Sequence, residues 1–300
     1  MIRSRPCRRL PLVAFLLATC APAAQEPAPS PEGAVVATSV AGFSGPESVR
    51  YDPEQDVYFV GNFNGPPGER ANNGFISRVR PDGEMEQLHF IMGGTGGVML
   101  HAARGMTIVG DTLWVADADA LRGFHRRTGA PLASVDLSAF DPGFPNDVAP
   151  GPDGALYVTD TPRNRIYRIA GGAASVALED STLNRPNGIT WDRYARRMIV
   201  VPFGGRQVLY GWQPGTQTLE TLATGPGGRY DGVEVLGDGR ILVASQADSS
   251  LHLFVNGQVR ASIRTSGAPA DIGVDTRRQR VAVPFVALNQ IEIHPIPAAP

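Results

Sequence analysis

The chain has no lysine, and all 27 of its basic residues are arginine, which reads as a compositional habit of the genome and not as chemistry. Cysteine is nearly absent too. Cys7 and Cys20 are the whole supply, so a mature chain beginning after Ala23 has neither a disulfide nor a thiolate metal site. No apolar run is long enough to span a bilayer, and no stretch gives a long amphipathic helix. There is no Gly-x-Ser-x-Gly elbow and no dinucleotide fingerprint. The run Gly93-Gly94-Thr95-Gly96-Gly97 leads into neither a Lys-Ser/Thr pair nor a helix, so it is not a phosphate loop.

Arg3, Arg5, Arg8 and Arg9 precede an apolar run from Leu10 to Ala18 and the small residues Ala21-Pro22-Ala23. This order reads as a signal peptide over 1–23, followed by a Pro/Ala-rich linker over 24–33. A second reading makes Cys20 the lipid-anchored residue of a lipoprotein signal, with Ala21 to Pro31 as a tether, although Thr19 suits that signal poorly. Either way an exported protein is expected, periplasmic or secreted. Loss of the leader takes four arginines and no acidic residue, so the formal charge of −2 becomes −6. A mildly acidic domain of about 265 residues can bury a core without staples and is a poor partner for nucleic acid. A monomer acting on a small molecule is the expectation.

What is present is a repeat. Six openings recur, each a small or turn residue, a candidate channel residue and then a β-rich run: Pro46-Glu47-Ser48-Val49, Ala103-Arg104-Gly105-Met106, Pro145-Asn146-Asp147-Val148, Pro186-Asn187-Gly188-Ile189, Tyr230-Asp231-Gly232-Val233 and Pro269-Ala270-Asp271-Ile272. Their second positions are 57, 42, 41, 44 and 39 residues apart, the period of a four-stranded propeller blade. Each opening leads to a β-branched and aromatic run, such as Val57-Tyr58-Phe59-Val60 or Leu156-Tyr157-Val158-Thr159, behind turns such as Pro152-Asp153-Gly154. Trp114, Tyr157, Trp191 and Trp212 alternate with these residues and read as blade cores. An all-β, six-bladed propeller over 34–300 follows. The last repeat runs out one strand short, and the segment from Ala34 to Val40 is expected to complete that blade and close the ring. The first repeat carries extra length at Asn62 to Gly74 and Met92 to Leu100, either exposed hairpin loops or a lid over the channel mouth.

The second positions form a column: Glu47, Arg104, Asn146, Asn187, Asp231 and Ala270. Taken singly, each Asn or Asp reads as turn chemistry. Together Glu47, Asn146, Asn187 and Asp231 offer two carboxylates and two carbonyls, hard oxygen ligands that suit Ca²⁺ first and Mg²⁺ or Mn²⁺ second. Zinc is disfavoured, since no His or Cys stands in the column. Arg104 has two readings: its guanidinium binds a substrate carboxylate or developing oxyanion, or it pairs with Glu47 or Asp231 and plugs the channel. Asp231 is the expected proton acceptor, with Asp147 as a second candidate. His101 is the one histidine near the mouth and is given no role.

In these residues the chain resembles the gluconolactonase, senescence-marker-protein and luciferin-regenerating-enzyme-like group of six-bladed propellers. The resemblance runs through essentially the whole mature chain on short motifs: Glu47 ahead of Tyr51-Asp52, the Asn146-Asp147 pair, Pro186-Asn187-Gly188 and Asp231-Gly232. It implies a lactone hydrolase with a divalent cation on Glu47, Asn146, Asn187 and Asp231, in which Asp231 helps the proton transfer. Two departures separate the chain from the sugar lactonases: Phe144 stands where they carry an Arg two residues before the blade-three Asn, and the first opening reads Gly45-Pro46-Glu47-Ser48 in place of Gly-Glu-Gly-Pro. The substrate therefore does not carry over. The alternative is a non-catalytic propeller that binds a ligand or protein through its loops, with a structural metal or an arginine-plugged channel; a propeller enzyme of another class, such as the strictosidine-synthase-like group, is a third possibility.

Overall fold

A computed structural model describes Met1 and residues 38–298, so the expected leader, the linker and Cys20 lie outside the described residues. The β-branched and aromatic runs become the second strand of each sheet, and two of them, Val57–Asn62 and Leu156–Asp160, are buried along their whole length. A strand hidden on both faces needs a sheet on either side of it. The chain supplies this with six four-stranded antiparallel sheets, the blades of a six-bladed β-propeller. Their first strands are Pro46–Asp52, Met106–Val109, Pro145–Pro150, Pro186–Asp192, Tyr230–Val235 and Gly273–Asp275. The last sheet takes its fourth strand from the other end of the chain. Thr38–Ala41 pairs antiparallel with Gln290–Pro295, Thr38 opposite Ile293 and Ala41 opposite Gln290. Residues 34–37 of the expected strand lie outside the described residues.

Apolar packing is divided among six clusters, each shared by two adjacent blades. Between blades three and four, Tyr157 meets Trp212 edge to face at 5.5 Å, with Trp191 packed against them. Trp114 packs in the same way between blades two and three. The turns between strands behave as their sequences imply: Gly154 and Gly239 take positive φ of 76° and 86°. At the far end of the first strands, Asp52, Asp192 and Asp275 each accept two backbone N–H groups from the turn that follows.

Candidate metal centre and cavity

In four blades the opening residues sit in a register shift of the first strand, between Pro46 and Ser48, Pro145 and Val148, Pro186 and Ile189, and Tyr230 and Val233. Such a bulge releases a residue from ladder pairing and re-aims its side chain. Neighbouring blades crowd together at this level. The Gly105 N–H donates to the Asn146 carbonyl at 2.9 Å, and the Asp271 N–H to the Glu47 carbonyl at 2.9 Å. A Cβ on Gly188 would collide with the Asp231 carbonyl, so only glycine lets these strands approach so closely.

The outcome is that Glu47, Asn146, Asn187 and Asp231 line one cavity of ≈ 310 Å³. They are 5 %, 4 %, 4 % and 4 % exposed, and each has one buried oxygen without a hydrogen-bond partner: Oε2 of Glu47 and Oδ1 of the other three. Two of the opposite ends are tied. Asn146 Nδ2 donates to Thr161 Oγ1 at 2.9 Å, and that hydroxyl donates to the Pro186 carbonyl at 2.8 Å, which fixes the amide and leaves its oxygen without a partner. Gln246 Nε2 donates to Asp231 Oδ2 at 2.7 Å, leaving Oδ1 free. A buried polar atom left unpaired costs about 1–3 kcal/mol. Four such oxygens from hard donors on one cavity are what a divalent cation relieves, and the residues fit that group.

The charges agree with this. Burial pushes the Glu47 carboxyl well above the usual carboxylate range, reinforced by Asp231 and Asp147 and opposed by Arg104. Burial, then the charge of Asp147, raises Asp231 to about 7 against the pull of Gln246, Asn187 and Arg229. Asp147 is raised to about 7 by burial, and Asp271 is raised by burial and by Asp147. Without a cation, burial favours the protonated form of these groups. A cation replaces those protons and makes its own affinity rise with pH.

The other expected site residues stand differently. Arg104 is buried and does not line the cavity. Its Nη1 donates to the Pro145 carbonyl at 2.8 Å and its Nη2 to the Pro67 carbonyl at 2.7 Å, while Cζ lies 3.5 Å above the Phe144 ring. Pro67 belongs to the first long segment, so Arg104 clamps that segment in place as a wall of the cavity. Phe144, in place of arginine, is the face on which the clamp rests. Asp147 spends both carboxylate oxygens on the N–H groups of Val148 and Ile189 and is a strut between blades three and four. Ala270 lines the cavity without a ligand atom. His101 accepts the Asn72 N–H and lies 3.5 Å from Asp119. With Asp117 and Asp119 it brings three ligand-type atoms within 4.8 Å. Arg122 already bonds both carboxylates there, and Asp117 also holds the His101 and Ala102 N–H groups, so the carboxylates are partnered and the cluster braces the loop.

A second ring escaped the sequence reading. Phe63, Thr161, Phe203, Gln246 and Val286 each follow the second strand of a blade and line the same cavity. The blade period applied to the ends of the second strands would have found them. Their chemical types differ, so no shared signature drew attention to them.

No family model and no curated protein matches the sequence. Solved structures do resemble it. A gluconolactonase from Xanthomonas campestris, important in glucose secondary metabolic pathways, superposes with a TM-score of 0.64 at 17 % identity, covering 87 % of this chain and 90 % of that one. A streptogramin B lyase superposes with 0.61 at 13 % identity, over 86 % and 97 %. Catalytically inactive virginiamycin B lyase from Staphylococcus aureus with quinupristin gives 0.57 at 13 %, over 86 % and 98 %. The likeness is one of fold. A gluconolactonase among these structures agrees at that level with the resemblance drawn from the motifs.

Proposed function

We propose that the protein is an exported hydrolase of a lactone or related small ester, with a divalent cation, Ca²⁺ first, on Glu47, Asn146, Asn187 and Asp231. The observation that carries the reading is the set of four partnerless buried oxygens on one cavity. Likeness in fold to a gluconolactonase supports it. When bound, the cation supplies a positive charge that offsets the negative charge developing on the substrate carbonyl. The chain supplies the rest. Asp231, held in place by Gln246, takes a proton from water as the water oxygen attacks the carbonyl carbon. The carbon–oxygen ester bond then breaks, and the proton on Asp231 passes to the leaving alkoxide, giving a hydroxy acid from a lactone. The Phe63, Phe144, Phe203 and Val286 side chains keep bulk water from the reacting group.

Metal analysis of purified protein, followed by a lactone and ester panel with and without chelator, tests this. The expected result is one divalent cation per chain and turnover that chelator abolishes and Ca²⁺, Mg²⁺ or Mn²⁺ restores. Turnover indifferent to chelator overturns the mechanism. A bound cation with no turnover on the whole panel turns the reading to the ligand-binding propeller.

A further inference from the structure

Arg185 and Arg229 hold the same station in neighbouring blades, each two residues before a column residue, Asn187 and Asp231. Both have left-handed backbones, with φ of 64° and 49°, a region arginine seldom enters. Both are exposed and bring Cζ over one ring, 5.7 Å and 4.7 Å from the centroid of Phe203. Many of the protein's other arginines are paired with carboxylates, among them Arg126 with Asp52, and Arg278 with Asp56 and Asp275. Among the described residues neither Arg185 nor Arg229 forms an ion pair. Two like charges over one ring, in a chain of net negative charge, are a standing invitation to an anion.

Their place says which anion. Arg185 and Phe203 line both the cavity and a rim groove of ≈ 500 Å³ shared with Asn184, Gly204, Gly205 and Arg229, so a ligand in the cavity continues into the groove. The cavity wall is apolar, built on Phe63, Phe144, Phe203, Pro162 and Val286. A sugar lactone would find few partners for its hydroxyls there. The acidic floor of Glu47 and Asp231 repels a dianion such as a phosphate monoester more than a single carboxylate.

We propose that the substrate is an amphipathic acid: a lactone or ester whose apolar acyl or aryl body packs on Phe63, Phe144 and Phe203 and whose carboxylate lies between Arg185 and Arg229. This rests on the hydrolase reading for the reacting group at the cavity floor, but not for the anion contact at the rim.

The test separates the two. 4-Phenylbutyrate and 4-phenylbutanol share a body and differ in charge, so calorimetry with each as probe reads the anion contact without turnover. The acid is expected to bind about tenfold more tightly or better, as charge-assisted hydrogen bonds allow. The doubly substituted Arg185→Gln, Arg229→Gln protein loses that preference. Arg193→Gln, which removes an exposed arginine lying over Tyr194, keeps it. Equal binding of the two probes, or a preference that survives the double substitution in protein with an unaltered melting curve, overturns the proposal. Turnover of 4-nitrophenyl acetate against mono-4-nitrophenyl glutarate supplies the second arm, where kcat/KM for the glutarate is expected to fall about ten- to hundredfold more than for the acetate in the double variant. Preference in binding without hydrolysis of either ester sinks the hydrolase reading and leaves the anion contact standing. Hydrolysis without preference does the reverse.

Discussion

The first strands of the blades carry acidic residues at both ends, and the two ends behave oppositely. At one end Asp275 accepts the N–H groups of Arg277 and Arg278 and bonds the guanidinium groups of Arg278 and Arg280; burial raises its carboxyl, but these partners together hold it below the usual range. Asp52 is held in the same way by Glu54, Gln55 and Arg126. At the other end Asp231 and Glu47 are buried too, yet each keeps an oxygen without a partner and a raised carboxyl. Residue type and solvent exposure are nearly constant across the comparison, although Glu47 and Asp231 lie deeper within the protein. Satisfaction of the oxygens is what separates a structural carboxylate from a candidate ligand.

Substitution at the two ends should therefore act on different observables. Asp231→Asn is expected to lower kcat about 10³-fold, within the range for a general base, while the cation-free melting temperature holds or rises, because an uncompensated buried carboxylate is gone. A fall in stability with activity kept would reverse the assignment of the two ends. Asp275→Ala should do the opposite, costing about 2 kcal/mol of stability by leaving the Arg277 and Arg278 N–H groups without an acceptor and Arg280 without its carboxylate. Denaturant unfolding checks it, and a loss under about 0.5 kcal/mol would show that the far end is not structural. Thr161→Val sharpens the contrast further: it frees the Asn146 amide to turn and should weaken cation affinity about tenfold with little loss of stability. Calorimetric titration with Ca²⁺ reads that change. The smallest effect is expected at Arg104→Ala, about 1–2 kcal/mol of stability, together with faster proteolysis in the segment it clamps at Pro67. Loss of turnover with the segment still protected would instead return Arg104 to the substrate.

The column was open to a reader of the sequence because four of the five intervals lie near one blade length and align the openings, and residues of one chemical kind fill four of the six places. Glu47, Asn146, Asn187 and Asp231 meet on one cavity for that reason. Arg104 is in the same column but takes another part, since its partners are backbone carbonyls of Pro67 and Pro145, which no residue pattern advertises. Asp147 looked like a base until the N–H of Ile189, a whole blade away, claimed its second oxygen. The cavity wall stayed hidden because Phe63, Thr161, Phe203, Gln246 and Val286 share a position but no chemistry. Period finds equivalent places in a repeat fold; the partner at each place decides its role.

The most direct measurement is the melting temperature of chelator-stripped protein at pH 5 and pH 8, with and without added Ca²⁺. A carboxyl raised to about 7 from the ordinary 3.8, as for Asp147 and Asp231, stabilises the fold below about pH 4 and loses that contribution as pH rises through 7. The stripped chain is expected to melt about 5 °C or more lower at pH 8 than at pH 5, and Ca²⁺ at a hundred times its dissociation constant to restore about 2.7 kcal/mol at pH 8 while doing little at pH 5. A stripped chain no weaker at pH 8, with a melting temperature that Ca²⁺, Mg²⁺ and Mn²⁺ all leave unmoved, would contradict a cation site on Glu47, Asn146, Asn187 and Asp231.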